Sequence, residues 1–107
     1  MDVDVETGTP GRSVITVKGD IDAYGGHVLR DAITDAFRLE NDVVIDLSAV
    51  NFVDSAGVGV LVGGHRAAEK AGLGFTIRHP SKRVSVLLEV TGLTRLFAIE
   101  AAAEDGQ

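Results

Sequence analysis

Residues 51–62 read NFVDSAGVGVLV and carry more information about this chain than any other stretch. They follow an apolar run at residues 43–47, typical of a β-strand, and they precede a helical pattern that closes near Gly72. We therefore expect Ser55, which follows the carboxylate of Asp54, to lie at the start of a helix. Unpaired backbone N–H groups and the positive end of the helix dipole meet there, so a phosphate on Ser55 would be stabilised and would add about two negative charges. This placement favours a serine that acts as a switch.

The rest of the sequence alternates between strand and helix patterns. Period-two alternation at residues 2–5 and 13–18, around a Gly/Pro turn, predicts an opening β-hairpin. Apolar residues spaced by three and four then predict three amphipathic helices. We expect these helices at residues 26–39, 56–71 and from Ser81 to a break at Gly92, and the remaining strands at residues 43–47, 74–78 and 95–99.

The predicted order of elements is β-β-α-β-α-β-α-β, which indicates an α/β fold. Helices between strands imply right-handed crossovers and a largely parallel sheet of four to five strands, and the hairpin makes that sheet mixed. The nearly continuous apolar run at residues 43–47 predicts a central strand buried on both faces. We expect one domain over residues 1–100 and a flexible C-terminal tail over residues 101–107.

Charge and cysteine content narrow the functional classes. The net charge of −6 argues against binding to nucleic acid or to anionic membrane surfaces. The absence of cysteine removes disulfides, thiol catalysis and zinc–thiolate sites. The acidic, alternating N-terminus is unlike a signal peptide, and no apolar stretch is long enough to span a bilayer. We therefore expect a cytoplasmic protein with no membrane insertion.

The Asp54-Ser55 pair has alternative interpretations. Either residue can cap a helix, and a capping hydroxyl can still be phosphorylated. A hydrolase nucleophile elbow would need glycine where this chain has Val53. A dinucleotide loop would need a third glycine where it has Val62, and no Walker lysine is present. Close approach of another backbone to the small first turn of the helix accounts better for its glycines.

A second acidic pair, Asp20 and Asp22, precedes the first predicted helix. Two carboxylates with this spacing could bind a cation or share a proton, or they could simply be solvated at the end of a strand. Asp22 could also cap the first helix or shape the loop beside the second helix.

The order of elements, the block VIDLSAVNFVDSAGVGVL at residues 44–61 and Gly-Asp-Ile-Asp at residues 19–22 resemble the STAS domain. More narrowly, they resemble the bacterial anti-sigma factor antagonists. The resemblance covers residues 3–99. Relatives often have a second serine where this chain has Ala56, and residues 23–27 lack the threonine and proline usual before the first helix.

The resemblance implies a regulatory binding protein. Because the lysine, the third glycine and a catalytic triad are missing, we expect no enzyme, no metal and no cofactor. The partner implied by the resemblance would be an anti-sigma factor with a kinase-like ATPase domain, which would phosphorylate Ser55, and a phosphatase would reverse this. Independently of the resemblance, we expect a monomer or a weak dimer. The residues expected to bind the partner are Asp22, Asp54, Ser55, Ala56, Gly57, Gly59 and Val60. In a rival interpretation the chain is a STAS subunit of an ABC transporter or of a stress-signalling complex, with Ser55 only a helix cap.

Overall fold

The structure, a computed structural model, describes residues 1–100, so the predicted tail at residues 101–107 lies outside the described residues. The predicted order of elements is confirmed. Its elements are β1 (Asp2–Glu6), β2 (Arg12–Lys18), α1 (Gly26–Arg38), β3 (Asp42–Ala49), α2 (Ser55–Ala71), β4 (Phe75–Arg78), α3 (Lys82–Val90) and β5 (Ala98–Glu100), with a short 3-10 helix at Leu93–Arg95.

The strands form one five-stranded sheet in the order β1-β2-β3-β4-β5. β1 pairs antiparallel with β2, whereas each later strand is parallel to its neighbour. The hairpin turn contains Gly11 at φ 79°, a conformation that glycine adopts without strain. Each parallel pair is joined through a helix, as parallel pairing requires. The predicted mixed α/β fold is therefore confirmed.

The core lies between one face of the sheet and the three helices. Val43, Ile45 and Leu47 of β3 point into it and are at most 1% exposed. The helices contribute their buried stripes to the same cluster, with Leu29 and Ile33 from α1, Leu61 and Ala68 from α2, and Val84 and Leu88 from α3. Because the three stripes share one cluster, the helices lie on the same side of the sheet.

The side chains on the other face of β3 are also buried, but there they lie beside side chains of the neighbouring strands β2 and β4. Val44 lies in register with Val14 and Thr76, and Asp46 with Thr16 and Arg78. The Asp46 carboxylate accepts hydrogen bonds from the Ser48 backbone N–H (2.9 Å) and hydroxyl (2.7 Å), and Arg78 lies 3.4 Å from it. Burial acts to raise the pKa of Asp46, but the Ser48 bonds and Arg78 outweigh it, and the pKa is lowered.

The last strand was predicted wrongly at its start. Arg95 belongs to the 3-10 helix, and β5 begins only at Ala98. α3 ends at Val90, and Gly92, at φ 76°, is the N-cap of this 3-10 helix. Phe97 lies outside β5, and its side chain is buried in the core beside Phe75, with ring centroids 6.0 Å apart. Its apolar character therefore reports burial and not strand pairing.

Over residues 1–100, the length and hydropathy of every helix fall short of what a membrane span requires.

Candidate functional site

Ser55 is the first residue of α2, and Asp54 is its N-cap. The Asp54 backbone is extended, and its Oδ1 accepts the Gly57 backbone N–H at 2.9 Å. Its carbonyl oxygen accepts the Val58 N–H at 2.9 Å. The carboxylate and not the hydroxyl therefore caps the helix, so the alternative with Ser55 as a cap is wrong. The Ser55 side chain is exposed at the positive end of the helix.

The segment before α2 is joined to the segment before α1; we call residues 21–25 and 52–54 the paired loops. The Ile21 N–H donates to the Phe52 carbonyl oxygen at 3.0 Å, and the Asp54 N–H donates to the Ile21 carbonyl oxygen at 3.1 Å. The second carboxylate oxygen of Asp54 accepts the Ala23 N–H at 3.2 Å. One carboxylate thus caps α2 and holds the neighbouring loop.

Asp22 shapes the paired loops from the other side. Its Oδ1 accepts the backbone N–H groups of Tyr24 and Gly25, both at 3.0 Å. The N-cap of α1 is Gly25, which makes no side-chain capping bond. Asp22 therefore stabilises the loop, and its carbonyl oxygen also accepts the Gly26 N–H at 2.8 Å where α1 begins, although the N-cap position itself is Gly25.

Within the part of the chain that the structure describes, the acidic pair does not assemble a metal site with other ligands. Asp20 is exposed, and one oxygen of Asp22 already accepts two backbone N–H groups. Among residues 1–100, no group of three or more histidine and carboxylate side chains is placed to hold a metal ion.

Close packing explains why residue 57, in the first turn of α2, is a glycine. It is buried, and a Cβ atom there would overlap the carbonyl oxygen of Ile21 and lie 2.8 Å from Val53 Cγ1. The predicted close approach of another backbone is confirmed at this position. At Gly59 a Cβ atom would meet nothing within 4 Å, so the two glycines have different roles.

The surface beside Ser55 consists of small residues. Ala56 and Gly59 are exposed, and Val60 is half-buried beside Gly26 of α1. A groove of about 450 Å³ runs between α1 and α2 and is lined by Ala56, Gly59 and Val60 together with Arg30, Ile33, Thr34, Phe37, Gly63, Gly64 and Ala67. The predicted site residues thus form two layers, with Asp22, Asp54 and Gly57 supporting the backbone beneath the exposed Ser55, Ala56 and Gly59.

Comparison with known proteins agrees with this geometry. A sequence model described as "Mlab, STAS domain" matches residues 6–99. The chain belongs to the STAS domain family. A relative from Bacillus subtilis, named anti-sigma-B factor antagonist, is 33% identical to this STAS domain over 92 residues, which are 86% of this chain and 84% of the relative.

Solved structures share the whole architecture of this STAS domain. An anti-sigma factor antagonist from Mycobacterium paratuberculosis superposes with a TM-score of 0.83 at 30% identity, covering 97% of this chain and 88% of that one. SpoIIAA from Bacillus, in its phosphorylated form, superposes with a TM-score of 0.73 at 23% identity, covering 98% and 96%. The second likeness concerns the fold alone.

The sequence of this STAS domain also contains a packing residue that the motif did not reveal. Gly64 is buried within α2, and a Cβ atom there would lie 2.7 Å from Phe75 Cε2 and 3.3 Å from Ile33 Cδ1. Glycine in a helix interior costs up to about 1 kcal/mol relative to alanine, so its presence there is itself the signal of close packing. Gly64 lets α2 approach both α1 and β4 and so sets the width of the groove.

Proposed function

We propose that this STAS domain is an anti-sigma factor antagonist. It binds an anti-sigma factor that has a kinase-like ATPase domain, and this binding releases a sigma factor. Phosphorylation of Ser55 by that partner ends the binding, and a phosphatase restores it. The protein acts in the cytoplasm as a regulatory binding protein and not as an enzyme. The names of its relatives and the exposed position of Ser55 support this proposal.

The observation that carries the proposal is the independence of Ser55 from the structure around it. The hydrogen bonds that hold the paired loops and cap α2 come from Asp54, Asp22 and backbone groups. None of these bonds uses the Ser55 hydroxyl. A kinase can therefore modify the hydroxyl without breaking the junction, and the unmodified side chain is free to enter an interface.

The switch follows from desolvation. In the unmodified protein, Ser55, Ala56 and Gly59 present a small, weakly polar surface that a partner can cover at low cost. A phosphate on Ser55 places a strongly hydrated dianion in that contact, next to the Asp54 carboxylate. Burying such a charge without a cationic partner costs several kcal/mol. A loss of about 4 kcal/mol weakens binding roughly a thousandfold, so a local charge suffices and no large rearrangement is needed.

The test is affinity capture from native lysate with four baits: the unmodified chain, Ser55→Ala, Ser55→Glu and the control Thr94→Glu. Thr94 is exposed in the 3-10 helix that follows α3, so the control adds the same charge away from the start of α2. We expect an anti-sigma factor with a kinase-like domain on every bait except Ser55→Glu. Capture of transporter subunits by all four baits would contradict the proposal and favour the rival transport role.

A further inference from the structure

The outer face of α3 presents apolar side chains to solvent. Val86 is 50% exposed and Val90 80% exposed, and Phe52, from the paired loops, is 55% exposed beside them. These three side chains line a groove of about 330 Å³ together with Asn51, Val53, Arg83, Val84 and Leu87. We call Lys82, Val86, Glu89 and Val90, together with Phe52, the α3 face.

The charges on the α3 face are arranged symmetrically. Val84 and Leu88 are buried, so rotation by about 100° per residue places Val86 on the opposite side of the helix. The same rotation places Lys82 and Glu89 together on one side of Val86. They lie at equal distances on either side of the midpoint between residues 85 and 86.

Lys82 and Glu89 cannot neutralise one another within one molecule. Seven residues separate them, about two helical turns or roughly 10 Å, whereas helical ion pairs form at spacings of three or four residues. The ion pairs found among residues 1–100 use other groups. Each molecule therefore presents Lys82 and Glu89 as one positive and one negative charge on one side of Val86, with the exposed Arg83 on the other side.

We propose that the α3 face binds a second copy of this chain through a two-fold axis, with the two α3 helices antiparallel. Antiparallel packing brings Lys82 of one copy beside Glu89 of the other, and the axis repeats this pair. Val86 then packs near the axis, and Val90 packs against the aliphatic stem of the second copy's Arg83. A two-fold interface needs a self-complementary surface, and this distribution of charge and apolar area supplies one.

The small size of the α3 face makes this dimer weak. The helix has nine residues and is about 13 Å long, so it covers less than the roughly 800 Å² per partner of a stable interface. The dimer therefore forms and dissociates with protein concentration.

Sedimentation equilibrium of the purified chain from about 10 µM to about 1 mM tests the proposal, because this range spans weak dissociation constants. We expect Lys82→Glu and Glu89→Lys each to weaken dimerisation about tenfold or more, because like charges then face each other. The double variant Lys82→Glu/Glu89→Lys should regain the affinity of the original chain. The control Lys70→Glu makes the same charge change at the exposed end of α2 and should leave the dimer intact.

A chain that stays monomeric up to about 1 mM would overturn the proposal. A dimer that neither single variant weakens, or that the double variant fails to restore, would also overturn it. Circular dichroism of each variant checks folding, which these exposed positions should not change. The measurement contains no anti-sigma factor, so its failure leaves the proposed function standing and is distinguishable from a failure of that function.

Discussion

Replacing Gly57 by alanine is the perturbation whose effect follows most directly from the structure. The new Cβ atom would overlap the Ile21 carbonyl oxygen and lie 2.8 Å from Val53 Cγ1 and 2.9 Å from Ile21 Cγ2. These neighbours are a backbone atom and two core side chains, so they cannot move aside cheaply. The paired loops must separate from α2, or the first turn of α2 must shift.

The expected cost combines two opposing terms. Overpacking of this kind destabilises a fold by about 1–3 kcal/mol, and the backbone overlap places Gly57→Ala near the upper end. Alanine gains up to about 1 kcal/mol over glycine through helix propensity. The net loss in free energy of unfolding is then about 2 kcal/mol. The control Gly59→Ala gains the same propensity without a clash, because its Cβ atom would meet nothing within 4 Å.

Urea or thermal unfolding of both variants measures this difference. The free energies of unfolding of Gly57→Ala and Gly59→Ala should differ by about 3 kcal/mol, which corresponds to roughly 12–24 °C in melting temperature for a domain of this size. Hydrogen exchange of the Ile21 and Asp54 amides, which donate across the paired loops, should accelerate in Gly57→Ala alone. Equal stability of Gly57→Ala and Gly59→Ala would refute the close approach of Ile21 to α2.

Three further outcomes are expected. Asp54→Ala removes the capping bond to Gly57 and the bond to Ala23, and it should lower the free energy of unfolding, measured by urea titration, by about 2 kcal/mol. Asp54→Asn keeps the cap and should lower it by about half as much; equal losses would contradict the double role of the carboxylate. Because the pKa of Asp46 is lowered in the folded state, this residue stabilises the fold above the ordinary carboxyl pKa of about 4, and the stabilisation is lost as the pH falls below that value. Asp46→Asn should therefore reduce the loss of stability at acidic pH, and an unchanged loss would contradict this role. Gly64→Ala should destabilise the fold by about 1–3 kcal/mol in thermal unfolding, and a gain in stability would show that Phe75 moves aside freely.

Local chemistry made much of this fold predictable. Period-two and helical spacing located the elements, and Gly72 was recognised as the end of α2, where it adopts φ 72°. The start of α2 could be placed to within one residue. Asp and Ser are both good capping residues, so sequence alone could not decide which of Asp54 and Ser55 forms the cap.

Non-local contacts explain what the sequence could not predict. The bond from Ala23 N–H to Asp54 joins residues 31 positions apart, and no local pattern encodes it. The close contacts of Ile21 with Gly57 and of Phe75 with Gly64 are likewise non-local, so no local pattern predicts them. Phe97 was assigned to a strand because burial in a coil and burial in a strand select the same apolar residues.

The central claim is that charge on Ser55 controls binding to an anti-sigma factor. The most direct test is calorimetric titration of the captured anti-sigma factor with the chain in its unmodified and Ser55-phosphorylated forms, with Ser55→Ala treated with the same kinase as the control. We expect the unmodified form and Ser55→Ala to bind alike, and the phosphorylated form to bind roughly a thousandfold more weakly. Equal affinity of the phosphorylated and unmodified forms would contradict the claim.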